Sequence, residues 1–319
     1  MTILSAAADD QGRRLDRVLR KALSEFPLSL IHRLLREGKV LVDGRPQGGD
    51  FRLSAGQEIA FPARAGGRSP APPSGPPALR PPGLSIIYED ADLLALNKRA
   101  GMEIHGSGEC LDSLVRAYLS PKLPPSLSFR PGPLHRLDRP TSGIVIFSVS
   151  LRGARHVSAL LREGKIHKRY LALVEGIVAA PGCWEDSLFR DRESRRTFVS
   201  AEGRSARTRF SVLGLYSGGE DAYSLLALEP ETGRSHQIRA HAAAHGHPLG
   251  GDKKYGGRPL PAAFFSSAPY QAGQVPPFLL HAWKLSLPLP GENGKILSLE
   301  APLPDYFLSP IEKFFVPGK

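Results

Sequence analysis

An aspartate held between two arginines on a proline-marked loop is the first place in this 319-residue chain where chemistry is plausible. The segment Pro133-Leu-His-Arg-Leu-Asp-Arg-Pro-Thr-Ser-Gly143 sets Asp138 between Arg136 and Arg139, and Arg139-Pro140 marks a turn. Two guanidinium groups beside a carboxylate favour its ionised form, which suits a nucleophile or a general base. Taken alone, an aspartate in a loop is more often a turn former. A second constellation, Thr232-Gly-Arg-Ser-His-Gln-Ile-Arg-Ala-His241, reads as a turn leading into a helix, with Gln237, Arg239 and His241 as its polar reach. An arginine of this segment and the loop aspartate are able to pair inside a pocket, where loss of either partner costs about 3–5 kcal/mol. The third is Lys168-Arg-Tyr-Leu-Ala-Leu-Val-Glu-Gly176, an apolar strand with Tyr170 at its entrance beside two cations. A core tyrosine is the plain alternative there.

These residues need a scaffold, and the chain spells one out. The run Ile144-Val-Ile-Phe147 reads as a buried strand directly after the loop, so Asp138 sits at a strand's edge. Leu93 to Leu96, Tyr170 to Val174, Phe210 to Leu215 and Tyr223 to Leu228 are further short apolar strands. Crossover helices are not regularly spaced between them, which predicts an α+β domain with a mixed, mostly antiparallel sheet. Ahead of it, Leu15, Val18, Leu19 and Leu23 lie near helical spacing, as do Ile31, Leu34 and Leu35. Ser29 is placed to cap the second helix and Gly38 to end it. Val40-Leu41-Val42, an Asp43-Gly44 turn and a closing strand Ile59 to Phe61 complete a small α/β module. Between the two lies PARAGGRSPAPPSGPPALRPPGL (62–84), with eight of the 30 prolines and no acidic residue. Proline at that density sustains neither helix nor central strand, so a semi-extended linker is expected. The expected domains are a module at 1–62, the linker at 63–84, a large domain at 85–305 and a tail at 306–319. Arg64, Arg68 and Arg80 of the linker are read as solvated.

The net charge of +11 makes a polyanion the expected partner, nucleic acid before an anionic membrane surface. Residues 11–61 carry ten Lys/Arg against six Asp/Glu, an excess of +4 concentrated on the two helices. Hydrophobic residues make up 41%, which argues against general disorder. No apolar run of about eighteen residues is present, and Met1 to Arg14 lacks a stretch suited to a signal peptide. The only cysteines, Cys110 and Cys183, are far apart, which suits a reducing compartment and leaves no cysteine-rich metal site. A cytoplasmic location is expected.

HRLDRPTSG resembles the signature loop of the RluA-type pseudouridine synthases, and three further segments agree in order: LLALNKRAGMEIHG (93–106), KRYLALVEG (168–176), and GRSHQIRAH with PLGGDKKYG (248–256). RLDRVLRKALSEFPLSLIHRLLREGKVLVDGRP resembles the alpha-L RNA-binding motif, a common appendage in that family. The resemblance implies an isomerase that breaks the N-glycosidic bond of a flipped-out uridine and rejoins the uracil through carbon, using no cofactor and no metal. Asp138 would be the catalytic carboxylate, Tyr170 would stack on the base and move a proton, and Arg239 would hold Asp138 by an ion pair. Arg136 would enter the RNA where the uridine has left the stack. A base costs a few kcal/mol to flip, and an aromatic face with a wedge side chain offsets this. Further RNA contacts are expected at His135, Arg139, Thr141, Lys98, Arg234, His236 and Gln237, and in the module at Arg13, Arg17, Arg33, Arg36 and Lys39. Ribosomal RNA is the first expected substrate and transfer RNA the second, bound by a monomer.

The chain departs from the family pattern in places. Arg99 follows Asn97-Lys98 where the family usually has proline, and Ser148-Val149 follow the signature strand in place of Ala-Lys. An arginine-rich stretch, RDRESRRTFVSAEGRSART, lies between Phe189 and Thr208 where the family carries a hairpin. Two rivals remain. His236, His241, His245 and His247 crowd into twelve residues, and His241 and His245 could share a helix face as metal ligands. A zinc protease wants Glu after its first His, and Ala242 stands there. The other rival is an RNA-binding protein without catalysis, which the presence of the Asp, the Tyr and the Arg disfavours.

Overall fold

A computed structural model describes residues 1–23, 25–62, 83–106, 108–123, 126–218, 221–265, 277–291 and 294–315. Residues 63–82, which hold most of the expected linker with Arg64, Arg68 and Arg80, lie outside the described residues. The chain divides into two units, residues 1–82 with 113–132 and 148–151, and residues 83–112 with 133–147 and 152–319.

The first unit is built on β1 (Thr2–Ser5), α1 (Leu15–Ala22), α2 (Leu28–Arg36), β2 (Leu41–Val42), β3 (Arg45–Pro46) and β4 (Glu58–Phe61). Leu15, Val18 and Leu19 of α1 and Ile31 and Leu35 of α2 recur at helical spacing, and all are buried. They share one core with Val40, Val42, Leu53, Ile59 and Phe61. Pro27, not Ser29, stands at the N-cap of α2, because proline's missing N–H costs nothing where a helix begins. Gly38 follows that helix at φ +66°. The sheet order is β1-β4-β2-β3, so β4 runs between two partners instead of closing an edge. Strand β1, which the sequence reading does not include, pairs Thr2 with Phe61 and Ser5 with Glu58.

Residues 113–132 belong to this unit too. Leu127 packs on the core, its N–H donates to Oδ2 of the buried Asp10 at 3.2 Å, and Arg13 Nη1 donates to Ser128 Oγ at 2.9 Å. The module is thus completed by a segment far away in sequence.

The second unit holds β5 (Ile86–Glu89), β6 (Leu93–Lys98), β8 (Ser142–Ser148), α4 (Leu151–Arg162), β9 (His167–Glu175), β10 (Gly182–Arg190), β11 (Thr197–Val199), β12 (Arg204–Gly218) and β13 (Asp221–Pro230). It continues with α5 (Gln237–Ala244), β14 (Leu280–Pro288), β15 (Ile296–Glu300) and α6 (Asp305–Phe314). Helix α3 (Leu111–Leu119) and the short β7 (Gly132–Pro133) straddle the division of the chain, and the last residue of β8 and the first of α4 fall in the first unit. The strands form one sheet in the order β11-β10-β12-β13-β9-β14-β8-β6-β5, with β15 added to β14 and β7 to β8. The β10–β12, β12–β13, β13–β9 and β9–β14 pairs are antiparallel and β14–β8 is parallel. This is the mixed, mostly antiparallel sheet and the α+β class that the strand pattern predicts.

Every residue of β8 is buried, as a strand covered on both faces requires. Val157 and Leu160 of α4 join Ile144 and Ile146 in one core, and Ile238 and Ala242 of α5 join Ala172, Val174 and Leu228 in another. Phe307 of α6 enters a third core with Leu171, Tyr223 and Phe264, so residues 306–314 of the expected tail lie in a packed helix. The loop with Asp138 runs from β7 to β8.

Candidate active site

Helix α5 brings its arginine to the loop aspartate. Arg239 is 6% exposed, and its Nη1 donates to Asp138 Oδ2 at 2.8 Å. The other edge of the same guanidinium is held by Asp252, with Nε to Oδ2 at 2.6 Å and Nη2 to Oδ1 at 2.9 Å. The Tyr255 and Phe278 rings cover its faces, with Cζ 4.8 and 4.6 Å from their centroids. Burial works against the buried charge, but the hydrogen bonds and charges of Asp252 and then Asp138 override it, so its pKa is raised. One cation therefore bridges two carboxylates. Asp252 is 2% exposed and only supports Arg239, whereas the Asp138 side chain, 26% exposed, still opens to solvent.

The loop that carries Asp138 is clamped by its neighbours. Thr141 N–H donates to Asp138 O at 3.0 Å, closing a turn. The Arg139 carbonyl accepts from Gly101 N at 2.8 Å and from Lys98 Nζ at 3.1 Å, while Arg139 Nε donates to Gly101 O at 2.9 Å. Lys98 is 1% exposed and also donates to Arg99 O and Met102 O, both at 3.0 Å. Burial pulls its ammonium down to about 8, against the pull of Asp138. His135 Nε2 accepts the Ile146 N–H at 3.2 Å, which places its own proton on Nδ1. Burial, and next Lys168, push this imidazole down to about 3, so it is neutral.

Past the loop, Gly143 has φ +106°, and a Cβ there would lie 2.2 Å from Ala282 O of β14. Only glycine fits that approach, so the glycine of the signature loop is fixed by packing. The buried His281 continues the joint, with Nδ1 2.8 Å from Ser142 Oγ and Nε2 3.3 Å from Ala301 O.

Tyr170 is half-buried in β9, opposite Leu228 and Ala282 and against the core that includes Ile238. Burial first, and then the charge of Asp138, raise its pKa and keep the phenol protonated. His236 precedes α5 in left-handed backbone at φ 52°, its Nε2 3.7 Å from Asp138 Oδ1.

The structure thus gathers Asp138, Tyr170, Arg239 and His236, and separates the remaining expected contacts into two groups. Lys98, Thr141 and Gln237 are buried. Gln237 accepts from Thr232 Oγ1 at 2.7 Å and Arg234 N at 3.0 Å and donates to Arg207 O at 2.9 Å, so its amide is committed to the turn before α5. Thr141 Oγ1 has no hydrogen-bond partner. Arg136 and Arg139 are exposed and Arg234 is partly so, its Nε donating to Ser205 O at 3.1 Å. In the module Arg17, Arg33, Arg36 and Lys39 are exposed and Arg13 is engaged with Ser128. Of the clustered histidines, His241 faces Thr208 Oγ1 at 2.9 Å, His245 faces Asp186 at 2.9 Å and His247 faces Glu175 O at 2.9 Å. Sequence reasoning missed Asp252 as a functional residue, although it stands inside PLGGDKKYG. The available signal was an arginine with more donors than Asp138 alone accepts.

Comparison with known proteins identifies the family. The profile of a family described as RNA pseudouridylate synthase matches residues 92–244. Ribosomal large subunit pseudouridine synthase C of Salmonella typhimurium is 33% identical over 311 residues, covering 94% of this chain and 92% of that protein. Ribosomal large subunit pseudouridine synthase D of Neisseria meningitidis is 33% identical over 305 residues, covering 92% of this chain and 76% of that protein. Among solved structures, human RNA pseudouridylate synthase domain containing 4 aligns over 72% of this chain and 92% of its own with a TM-score of 0.56 at 22% identity, a likeness of fold. With a third of its residues shared along almost the whole chain, and with an aspartate, a tyrosine and an arginine gathered at one site, this protein belongs to the RluA-type RNA pseudouridylate synthases, isomerases that convert uridine to pseudouridine.

Proposed function

We propose that this chain isomerises uridine to pseudouridine in large-subunit ribosomal RNA, with Asp138 as the reacting carboxylate. The observation that carries this reading is the Arg239 bridge: Asp138 is ion-paired at 2.8 Å, yet its side chain remains 26% exposed beside Tyr170. A carboxylate that only served the fold would be closed off like Asp252. In the reaction the bond from uracil N1 to C1′ breaks, the uracil turns, C5 bonds to C1′, the C5 proton passes to water and the freed N1 takes up a proton in its place. Asp138 acts at the ribose side of the bond. Arg239 balances its charge through both steps and is itself too strongly held to move. Tyr170 supplies an aromatic face for the base and a phenol that is protonated at neutral pH. Arg136, exposed on the same loop, fills the gap that the flipped uridine leaves, and Arg139 and Arg234 meet nearby phosphates. The module's exposed cations hold the RNA by charge and shape, not by base edges. We take the protein to act as a monomer in the cytoplasm.

The names of the relatives, both of them ribosomal large subunit enzymes, support the choice of RNA. Release of tritium from C5-labelled uracil tests it. Large-subunit ribosomal RNA is expected to lose label while bulk transfer RNA does not; release from transfer RNA alone would contradict the assignment.

A further inference from the structure

His236 occupies an uncommon backbone region for a residue with a side chain, and such conformations persist where the surroundings hold them. What holds this one is also what fixes its proton. Arg190 Nη1, from β10, lies 3.3 Å from Nδ1, and a guanidinium can only donate. The Tyr255 hydroxyl is 2.8 Å from the same nitrogen. That hydroxyl already accepts the Thr197 N–H at 2.9 Å, which leaves its own proton for Nδ1. Nδ1 is therefore an acceptor, and the neutral ring carries its proton on Nε2.

Nε2 faces Asp138 Oδ1 at 3.7 Å, the carboxylate oxygen that Arg239 does not hold. The gap is beyond hydrogen-bond length, as is common in sites that tighten on substrate. The ring is charged with difficulty. Burial lowers its pKa most, Arg239 on α5, Arg190 on β10 and Lys254 of the 253–255 turn lower it further, and Asp138 opposes them, leaving about 4.

We propose that His236 is a positioning residue for the reaction: a neutral imidazole, with its tautomer set by Arg190 and Tyr255, that offers Nε2–H to Oδ1 of Asp138. Arg239 grips Oδ2 and His236 grips Oδ1, so the carboxylate keeps one orientation towards the ribose. No proton passes through the ring. The arginine-rich hairpin of β10 and β11 thereby acquires a role at the reacting centre through Arg190, beyond any contact with RNA. The inference rests on the reading of Asp138 as the reacting carboxylate.

The experiment uses the full-length chain and a C5-tritiated ribosomal RNA substrate, comparing wild type, His236→Ala, His236→Gln and Asp138→Asn. His236→Ala is expected to lower the saturated rate about ten- to a hundredfold, the worth of one hydrogen bond to a charged group, with half-saturation shifted less than about twofold. His236→Gln, whose amide can offer N–H from nearly the same place, is expected to recover most of the loss. Nitrogen NMR of wild-type histidines should find His236 protonated on Nε2 alone from pH 6 to 8, a readout that does not depend on any variant folding. A proton on Nδ1 would overturn the inference. So would His236→Ala raising half-saturation at an unchanged rate, which would make the histidine an RNA contact. If Asp138→Asn is inert while His236→Ala turns over at the wild-type rate, only this inference falls. If Asp138→Asn is active, the reading of Asp138 falls and takes this inference with it.

Discussion

Arg239 answers to two carboxylates that differ in exposure, and on the proposed reading that difference separates chemistry from support. Asp252 holds two donors of the guanidinium from a site 2% exposed, and Asp138 takes the third from a side chain 26% exposed. Removing the buried partner should therefore damage both fold and function. Asp252→Asn is expected to cost about 3 kcal/mol in denaturant unfolding, the lower end of the range for breaking a buried pair because Asp138 remains. It is also expected to slow tritium release more than tenfold, since Arg239 then loses the carboxylate that fixes its far edge and can shift together with Asp138. Unchanged stability would mean that the bridge carries little. At this scale the sequence exposed the reacting candidates and hid their supports. Asp138, Tyr170 and Arg239 stand in recognisable segments. Lys98 looked like a cation for RNA, yet it ends β6, whose Leu93 to Leu96 are all buried, and it shares their environment. Gln237 and Thr141 are short polar groups beside the site, and only the fold reveals that they point inward.

The elements that position the site were readable where a pattern repeats, and less so where a partner is distant in the chain. Helices α1 and α2 follow from the spacing of leucines, and strands β8, β9 and β13 from short apolar runs. Strand β1 is only Thr2–Ser5, too short and mixed to announce itself. Nothing local says that Leu127 and Ser128 pack on residues of the first sixty, because that contact depends on more than a hundred intervening residues. It changes how the module should be probed. Deleting residues 1–62 would uncover Leu127 and the buried Ser128, so loss of binding would not isolate charge. Replacing the exposed Arg33, Arg36 and Lys39 by Gln leaves the core intact. If each meets one phosphate, the slope of log affinity against log salt should shrink by about 2, with the saturated rate unchanged. An unaltered slope would remove these residues from the RNA contact.

At the scale of the whole molecule, the net charge of +11 argues for a polyanion but not for a reaction. On the proposed reading, affinity comes from many cations and turnover from one open carboxylate. Among the described residues no helix is long and apolar enough to cross a membrane. The family supplies the reaction, and the geometry at Arg239 supplies the candidate for its nucleophile or base. Tritium release from C5-labelled large-subunit ribosomal RNA, by wild type and by Asp138→Asn side by side, tests that assignment most directly. Release by wild type, with none above background from an Asp138→Asn protein that still binds the RNA, is the result expected. Equal release from both would mean that another group does the chemistry, and that the Arg239 bridge serves the fold alone.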